Sequence, residues 1–173
     1  MVHELFRLGA QVDSLEFEWG TPVEIEAVNE RLGQADYRIV AVVHAETSTG
    51  VVNPVAGIGN HLKDRATLYL VDGVTSLGGM PVNLDEWGID AFYSGTQKCL
   101  SCPPGLAPTS FSDRAIERLQ CRQGKVPNWY LDLLNLAIND NDLGYRKQYL
   151  EWRPGMMDEE RLDAVRWYRA VLD

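Results

Sequence analysis

Short apolar runs that each end in polar or small residues are the feature that most limits what this chain can fold into. The runs are Arg38–Val43, Thr67–Val71 and Ala91–Gly95, with Gly105–Phe111 as a candidate fourth. Continuous apolar runs of this length are typical of strands that are buried on both faces of a parallel sheet. Helical patterns precede, separate and follow the runs, so we expect an α/β fold with a mainly parallel sheet flanked by helices.

The helical segments carry recognisable start signals. In the first, Thr21 is predicted to be the N-cap residue, with Pro22 at the first helical position and Glu24 completing a capping box. A second helix is expected after Pro54, and Ser112 is expected to cap a third. Two of these helices carry an apolar stripe at helical spacing for packing on the sheet, formed by Ile25, Val28 and Leu32 in the first and by Val55, Ile58 and Leu62 in the second.

Composition limits the partners of the chain. A net charge of −9 argues against binding to nucleic acid or to an anionic membrane surface, both of which favour basic patches. No run of about 18 apolar residues is present, so no transmembrane helix is expected, and the N-terminus lacks the pattern of a signal peptide. Because 3 cysteines cannot all pair, a secreted disulfide framework is not expected, and we predict a reducing, cytoplasmic location.

Polar side chains follow three of the predicted strands. Thr47, Asp72 and Lys98 would meet at the edge of the sheet where ligands bind in such folds. A desolvated lysine amine can attack a carbonyl, and an aspartate can hold a pyridine nitrogen protonated. These are the two groups that pyridoxal phosphate (PLP) requires. The plainer alternative is a solvated lysine and a turn-forming aspartate. His44, also at a strand end, is expected to hydrogen-bond locally.

Three segments carry a family resemblance. They are "HAETSTGVVNP" at 44–54, "LVDGVTSLGGMPVNLDEWGIDAFYSGTQKCLSCPPGLAPTSFS" at 70–112 and "WYLDL" at 129–133. They closely resemble class V aminotransferases of PLP fold type I, and within them the alanine–glyoxylate and serine–pyruvate aminotransferase group. The resemblance implies that residues 1–136 form part of the PLP-binding large domain of that fold, which is incomplete in this sequence.

The resemblance also implies roles for individual residues. Lys98 is similar to the Schiff-base lysine, and Asp72 to the carboxylate that pairs with the pyridine nitrogen, so these two are the expected catalytic residues. Thr47 would bond the ring-hydroxyl side of the cofactor, Val74 would pack against the ring face, and Gln97 would contact the phosphate. Glutamine directly before the lysine favours the aminotransferase branch, because the similar cysteine desulfurases have histidine there.

The activity that the resemblance implies is PLP-dependent transamination. The amino donor would be a small amino acid, alanine or serine, and the acceptor a 2-oxo acid, glyoxylate or pyruvate. The resemblance further implies a homodimer whose sites are shared across the interface. Some relatives are peroxisomal, but the C-terminal "AVLD" is not a peroxisomal tripeptide signal.

The sequence departs from the family pattern toward both ends. The glycine-containing phosphate loop and the arginine that binds the substrate carboxylate are not found in it. Residues 137–173 are expected to form a divergent tail with a terminal helix that begins near Asp158. The alternative function is therefore a non-catalytic truncated fragment or pseudoenzyme of this family.

Cys99 and Cys102 form a C-x-x-C pattern that suggests a third alternative, a thiol oxidoreductase. A thioredoxin-like site would place this pair at the start of a helix, whereas Pro103 and Pro104 follow it directly. A zinc site would need further ligands, for which Cys121 and a histidine are a small supply. We therefore expect reduced thiols and no metal site.

Overall fold

The computed structural model of the chain describes residues 9–124, 126, 132 and 133. Their elements are, in chain order, α1 (Ile25–Gln34), β1 (Ile39–Val43), α2 (Val55–Leu62), β2 (Leu68–Asp72), β3 (Ala91–Tyr93), β4 (Thr109–Phe111) and α3 (Asp113–Gln120). The predicted tail, 137–173, and the helix expected near Asp158 lie outside the described residues. Within those residues, no helix is long and apolar enough to cross a membrane.

The strands form one sheet in which the spatial order is the chain order, β1-β2-β3-β4. β1 and β2 are parallel, with Val43 opposite Asp72, and β2 and β3 are parallel, with Asp72 opposite Tyr93. β4 is shorter than the predicted run Gly105–Phe111 and is antiparallel to β3. The α/β fold with a mainly parallel sheet is thus confirmed, and its parallel strands end at one edge of the sheet.

The hydrophobic core lies between one face of the sheet and the helices α1 and α2. Tyr69 and Val71 of β2 and Phe92 of β3 are buried there. They belong to one cluster with the predicted helix stripes, whose buried members are Val28, Leu32, Val55, Ile58 and Leu62. The buried Tyr69 hydroxyl donates to the carbonyl of Val55 at 3.2 Å, so this polar group is satisfied inside the core.

β1 is less buried than its sequence pattern predicted. Ile39 is 57% exposed, and Ala41, two residues along the same face, is exposed as well. Within the described part of the chain β1 pairs only with β2, so it is an edge strand, and its residues Ile39 and Ala41 on the face away from α1 and α2 are exposed. The prediction that Arg38–Val43 is buried on both faces is therefore wrong for the described residues.

The start of α1 also differs from its prediction. The helix begins at Ile25, its N-cap residue is Glu24, and no side chain caps it. Thr21 closes a separate turn instead, because its hydroxyl and its backbone N–H both donate to the carbonyl of Glu18, at 2.7 and 3.0 Å. The predicted capping box is wrong, because the helix begins later than predicted and Glu24 occupies the N-cap position instead of the third helical position.

A buried carboxylate joins α3 to the sheet. Asp90 is 4% exposed and accepts hydrogen bonds from the Arg114 guanidinium, from the Ser112 hydroxyl at 2.8 Å and from the Tyr69 N–H at 2.8 Å. Ser112 also caps α3, as predicted, by accepting from the Ala115 N–H. Burial acts to raise the pKa of the Asp90 carboxyl, but the bonds from Arg114, Tyr69 and Ser112 outweigh it, so the pKa is lowered.

Candidate active site

The loops that follow β1, β2 and β3 form the candidate site at the carboxyl edge of the sheet. Asp72 is the last residue of β2, and the other predicted site residues lie in these loops. Thr47 follows β1, Val74 follows β2, and Gln97 and Lys98 follow β3. Because parallel strands end at the same edge, the fold brings all five predicted residues to one side of the sheet.

Hydrogen bonds join the three loops to one another. The hydroxyls of Thr47 and Thr75 are 2.7 Å apart, which connects the first loop to the second. The thiol of Cys99 donates to the carbonyl of Thr75 at 3.0 Å, which connects the third loop to the second. Packing between the same loops is close, since a Cβ at Gly79 would lie 2.7 Å from Sγ of Cys99. Thr75 therefore contacts both of the other loops, which nothing in the sequence around it predicted.

The Asp72 carboxylate is held by two donors, one on each oxygen. The Val74 N–H donates to Oδ1 at 2.9 Å, and the Tyr93 hydroxyl donates to Oδ2 at 2.6 Å. Burial, followed by the bond to Asp72, raises the pKa of the Tyr93 phenol, so it is a protonated donor at neutral pH. Sequence reasoning missed Tyr93, because it lies inside the predicted run Ala91–Gly95 and its pairing with Asp72 depends on the register of β2 and β3.

Gly73 allows the chain to turn tightly at the end of β2. A Cβ on this residue would lie 2.0 Å from Cζ of Phe92, which is buried in the core. The Gly73 N–H donates to the carbonyl of Tyr93 at 2.8 Å, and its own carbonyl accepts from the Ser94 hydroxyl at 3.1 Å. Because Gly73 has no side chain, the backbone of the candidate site can pack directly against Phe92 of the core.

Lys98 lies in an exposed turn that the Ser101 N–H closes by donating to the Lys98 carbonyl at 2.9 Å. The Gln97 side chain is exposed as well. The Lys98 amine has neither a hydrogen bond nor an ion pair with the part of the chain that is described. A desolvated lysine was predicted, and this is wrong for the described residues because Lys98 is exposed.

The cysteines of the C-x-x-C pattern are free, exposed thiols. Cys99 donates to Thr75 as described above, and Cys102 donates to the carbonyl of Leu100 at 3.3 Å. Over the described ranges, no group of three or more His, Cys, Asp and Glu side chains is arranged to hold a metal ion.

His44, at the end of β1, is a buried residue beside the site. It is 5% exposed, and its ring meets the ring of Trp87 edge-on with centroids 5.4 Å apart. Its backbone N–H donates to the carbonyl of Asp72, and its carbonyl accepts from the Asn53 N–H, both at 2.8 Å. Among the described residues the ring Nδ1 has no hydrogen-bond partner, so the predicted local hydrogen bonding is found for the backbone of His44 and not for this atom. Burial lowers the pKa of His44.

The residues at this edge fit the chemical needs of PLP. Asp72 offers an oriented carboxylate for a pyridine nitrogen, and Thr47 offers a hydroxyl. Lys98 offers a primary amine that no carboxylate of the described residues pairs with. An aldehyde-bearing pyridine ring needs the amine and the carboxylate from its protein, and the hydroxyl is a further possible hydrogen-bond partner.

Comparison with known proteins reveals relatives. The family model described as "Aminotransferase class-V" matches residues 2–126. An uncharacterised aminotransferase of Methanocaldococcus jannaschii is 46% identical over 138 residues, which are 79% of this chain and 33% of that protein. The (S)-ureidoglycine–glyoxylate transaminase of Bacillus subtilis is 43% identical over 117 residues, which are 68% of this chain and 28% of that protein. The chain thus spans about a third of the length of these curated relatives.

A solved aminotransferase structure is also similar to this chain. The crystal structure of alanine–glyoxylate aminotransferase from Nostoc sp. matches with a TM-score of 0.75 and 47% sequence identity. The match covers 78% of this chain and 36% of the Nostoc chain.

Proposed function

Because the chain belongs to the class-V aminotransferase family, we propose that it provides the lysine and the ring-nitrogen carboxylate for PLP-dependent transamination. The resemblance read from residues 44–54, 70–112 and 129–133 is confirmed at the level of the family, and the family implies PLP as cofactor. The observation that carries the proposal is that Asp72 ends β2 and Lys98 lies in the loop after β3, the neighbouring parallel strand.

Four of the proposed site residues would hold and orient the cofactor. Bound PLP supplies an aldehyde that reacts with amines and a protonated ring that withdraws electrons. Asp72 accepts a hydrogen bond from the ring nitrogen and keeps it protonated, while its own oxygens stay fixed by the Val74 N–H and the Tyr93 hydroxyl. Thr47 bonds the ring-hydroxyl side, the Val74 side chain packs on the ring face, and Gln97 contacts the phosphate.

Lys98 has two tasks in this proposal. Its amine would hold the cofactor covalently by reaction with the aldehyde. As a free amine, Lys98 would be the general base for the proton on the substrate α-carbon. The exposure of Lys98 leaves its amine open to the incoming substrate. No ion pair within the described residues competes for that amine.

The proposed acceptor is a 2-oxo acid, with glyoxylate first and pyruvate second. Support comes from two relatives whose names contain glyoxylate. The proposed donors are alanine and serine, and (S)-ureidoglycine joins them because of the Bacillus subtilis relative. From the family resemblance we also propose a homodimer and a cytoplasmic location.

A second candidate is a non-catalytic member of the family that does not hold PLP by itself. The exposure of Gln97 and Lys98 favours it, because sites for reactive intermediates usually exclude water.

The test is the absorbance spectrum of the purified chain with PLP, followed by borohydride reduction and peptide mass spectrometry. We expect a visible band that free PLP lacks, its loss in Lys98→Ala, and the reduced cofactor on Lys98. Lys63→Ala is the matched control, since Lys63 is an exposed lysine outside the three loops and bonds Asn60 and the carbonyl of Glu86. It should keep the band.

Two outcomes would favour the second candidate. One is an unchanged band in Lys98→Ala, and the other is reduced cofactor spread over many surface lysines. If Lys98 alone carries the cofactor, the half-reactions with alanine, serine and (S)-ureidoglycine should be measured next, with release of the 2-oxo acid as readout. Product from none of these donors would limit the proposal to cofactor binding.

A further inference from the structure

Tyr93 contacts the proposed site although neither the sequence pattern nor the family resemblance assigned it a role. Its hydroxyl donates to Oδ2 of Asp72 at 2.6 Å. We infer that Tyr93 is a positioning residue, which holds the Asp72 carboxylate in the orientation that the ring nitrogen of the cofactor needs. The inference rests on the proposed function, because it assumes that Asp72 serves that nitrogen.

The strand register explains why this bond forms. Asp72 and Tyr93 are direct partners in the parallel pair of β2 and β3, and each is the last residue of its strand. Partners in register present their side chains on the same face of a sheet. This face is the one away from the core, because Val71 and Phe92, one residue earlier in each strand, are buried.

The two bonds to Asp72 together fix the plane of its carboxylate. The Val74 N–H binds Oδ1 and the Tyr93 hydroxyl binds Oδ2, so rotation of the group would break at least one bond. Each carboxylate oxygen can accept two hydrogen bonds, which leaves capacity for a further donor. The carboxylate is therefore oriented and still able to bind a ring N–H.

A phenol suits this task because it is a neutral donor. An arginine or lysine at this position would also orient Asp72, but its positive charge would cancel the negative charge that a protonated pyridine ring requires. The raised pKa of the Tyr93 phenol supports this assignment, since the hydroxyl remains protonated at neutral pH.

The test compares PLP with an analogue in which carbon replaces the ring nitrogen. We expect Tyr93→Phe to weaken PLP binding by about threefold to tenfold, the size of a typical pairwise coupling. Binding of the analogue, which offers nothing to Asp72, should be unchanged. Asp72→Asn should likewise weaken the binding of PLP and leave the binding of the analogue unchanged. Adding Tyr93→Phe to Asp72→Asn should cause no further loss of PLP binding.

Tyr37→Phe is the matched control. It removes another hydroxyl-to-carboxylate bond, from Tyr37 to Asp13 at 2.5 Å, and Tyr37 precedes β1 at the opposite edge of the sheet. PLP binding should not change in this variant. Tyr93→His, which keeps a ring N–H donor, is a second variant. We expect it to lose less PLP affinity than Tyr93→Phe. Thermal unfolding of each variant checks that it is folded.

The outcomes separate this inference from the proposed function. Equal losses for PLP and its analogue in Tyr93→Phe would mean that Tyr93 acts through the fold, which overturns the inference. Unchanged PLP binding in Tyr93→Phe, beside a loss in Asp72→Asn, would overturn it as well and leave the proposed function intact. If the unmodified chain binds no PLP, the proposed function fails and the inference fails with it.

Discussion

Gly73 connects the candidate site to the core at the scale of a single residue. Its Cα lies so near Phe92 that any side chain would overlap the aromatic ring. Gly59 shows the same kind of contact within α2, where a Cβ would lie 1.8 Å from the carbonyl oxygen of Trp87. At these two positions only glycine fits the space available, and neither residue has a positive φ angle.

We expect Gly73→Ala to lower the free energy of unfolding by about 1–3 kcal/mol, which is typical of overpacking in a core. The cause is the 2.0 Å approach of the new Cβ to Cζ of Phe92. Urea unfolding followed by circular dichroism measures the change. Gly33→Ala is the control, because Gly33 lies in α1 with nothing within 4 Å of its Cβ position. It should raise the stability by up to about 1 kcal/mol, and equal effects in both variants would contradict the steric argument.

At the scale of elements, local sequence patterns predicted the positions of some helices and strands correctly and of others incorrectly. The apolar runs placed β1, β2 and β3, and the polar residue Ser112 placed the start of α3, because those signals depend on neighbours in sequence. The start of α1 was misplaced because Thr21 belongs to a separate turn with Glu18, and the helix begins only at Ile25.

Contacts between distant residues could not be predicted in the same way. Asp90 and Arg114 are 24 residues apart, and Asp72 and Tyr93 are 21 apart. Both pairs depend on how the strands align, which no local pattern records. The candidate site residues were placed at one edge correctly because that follows from parallel strands alone. Their roles remain predictions.

The bond between Asp90 and Arg114 makes the attachment of α3 sensitive to acid. The folded-state pKa of Asp90 is lowered, so its stabilising contribution is present above its unfolded pKa of about 3.9 and is lost as pH falls through the folded pKa. We expect Asp90→Asn to reduce stability at about pH 7 by roughly 1.5–3 kcal/mol. The difference from the unmodified chain should shrink toward about pH 3.

Urea unfolding of both proteins across this pH range measures the effect. Asp64→Asn, at an exposed aspartate, is the control and should change stability little at any pH. A loss in Asp90→Asn that stays the same at low pH would show that the charge of Asp90 is not responsible.

At the scale of the whole molecule, the core is one-sided. Over the described residues the edge of β1 is unpaired, and Ile39 and Ala41, on the face away from α1 and α2, are exposed. Large apolar side chains elsewhere are exposed too, among them Trp19 at 80% and Leu106 at 51%. Open strand edges and apolar surface of this kind promote contacts between chains.

We therefore expect the purified chain to self-associate at micromolar concentration. Ile39→Lys should reduce this association, because it places a charge on the exposed face of the edge strand. Sedimentation velocity measures the size distribution. Gln34→Lys makes the same change in net charge at an exposed helix end and should have no effect. A sharp monomer boundary for the unmodified chain would contradict the prediction.

The agreement between strand order and chain order has a consequence for synthesis on the ribosome. Each strand pairs with the one that left the ribosome just before it. No strand must wait for a distant partner, so the sheet can grow from β1 toward β4 as translation proceeds. The pair of Asp72 and Tyr93 would form as soon as β3 docks, before Lys98 and the rest of its loop have settled.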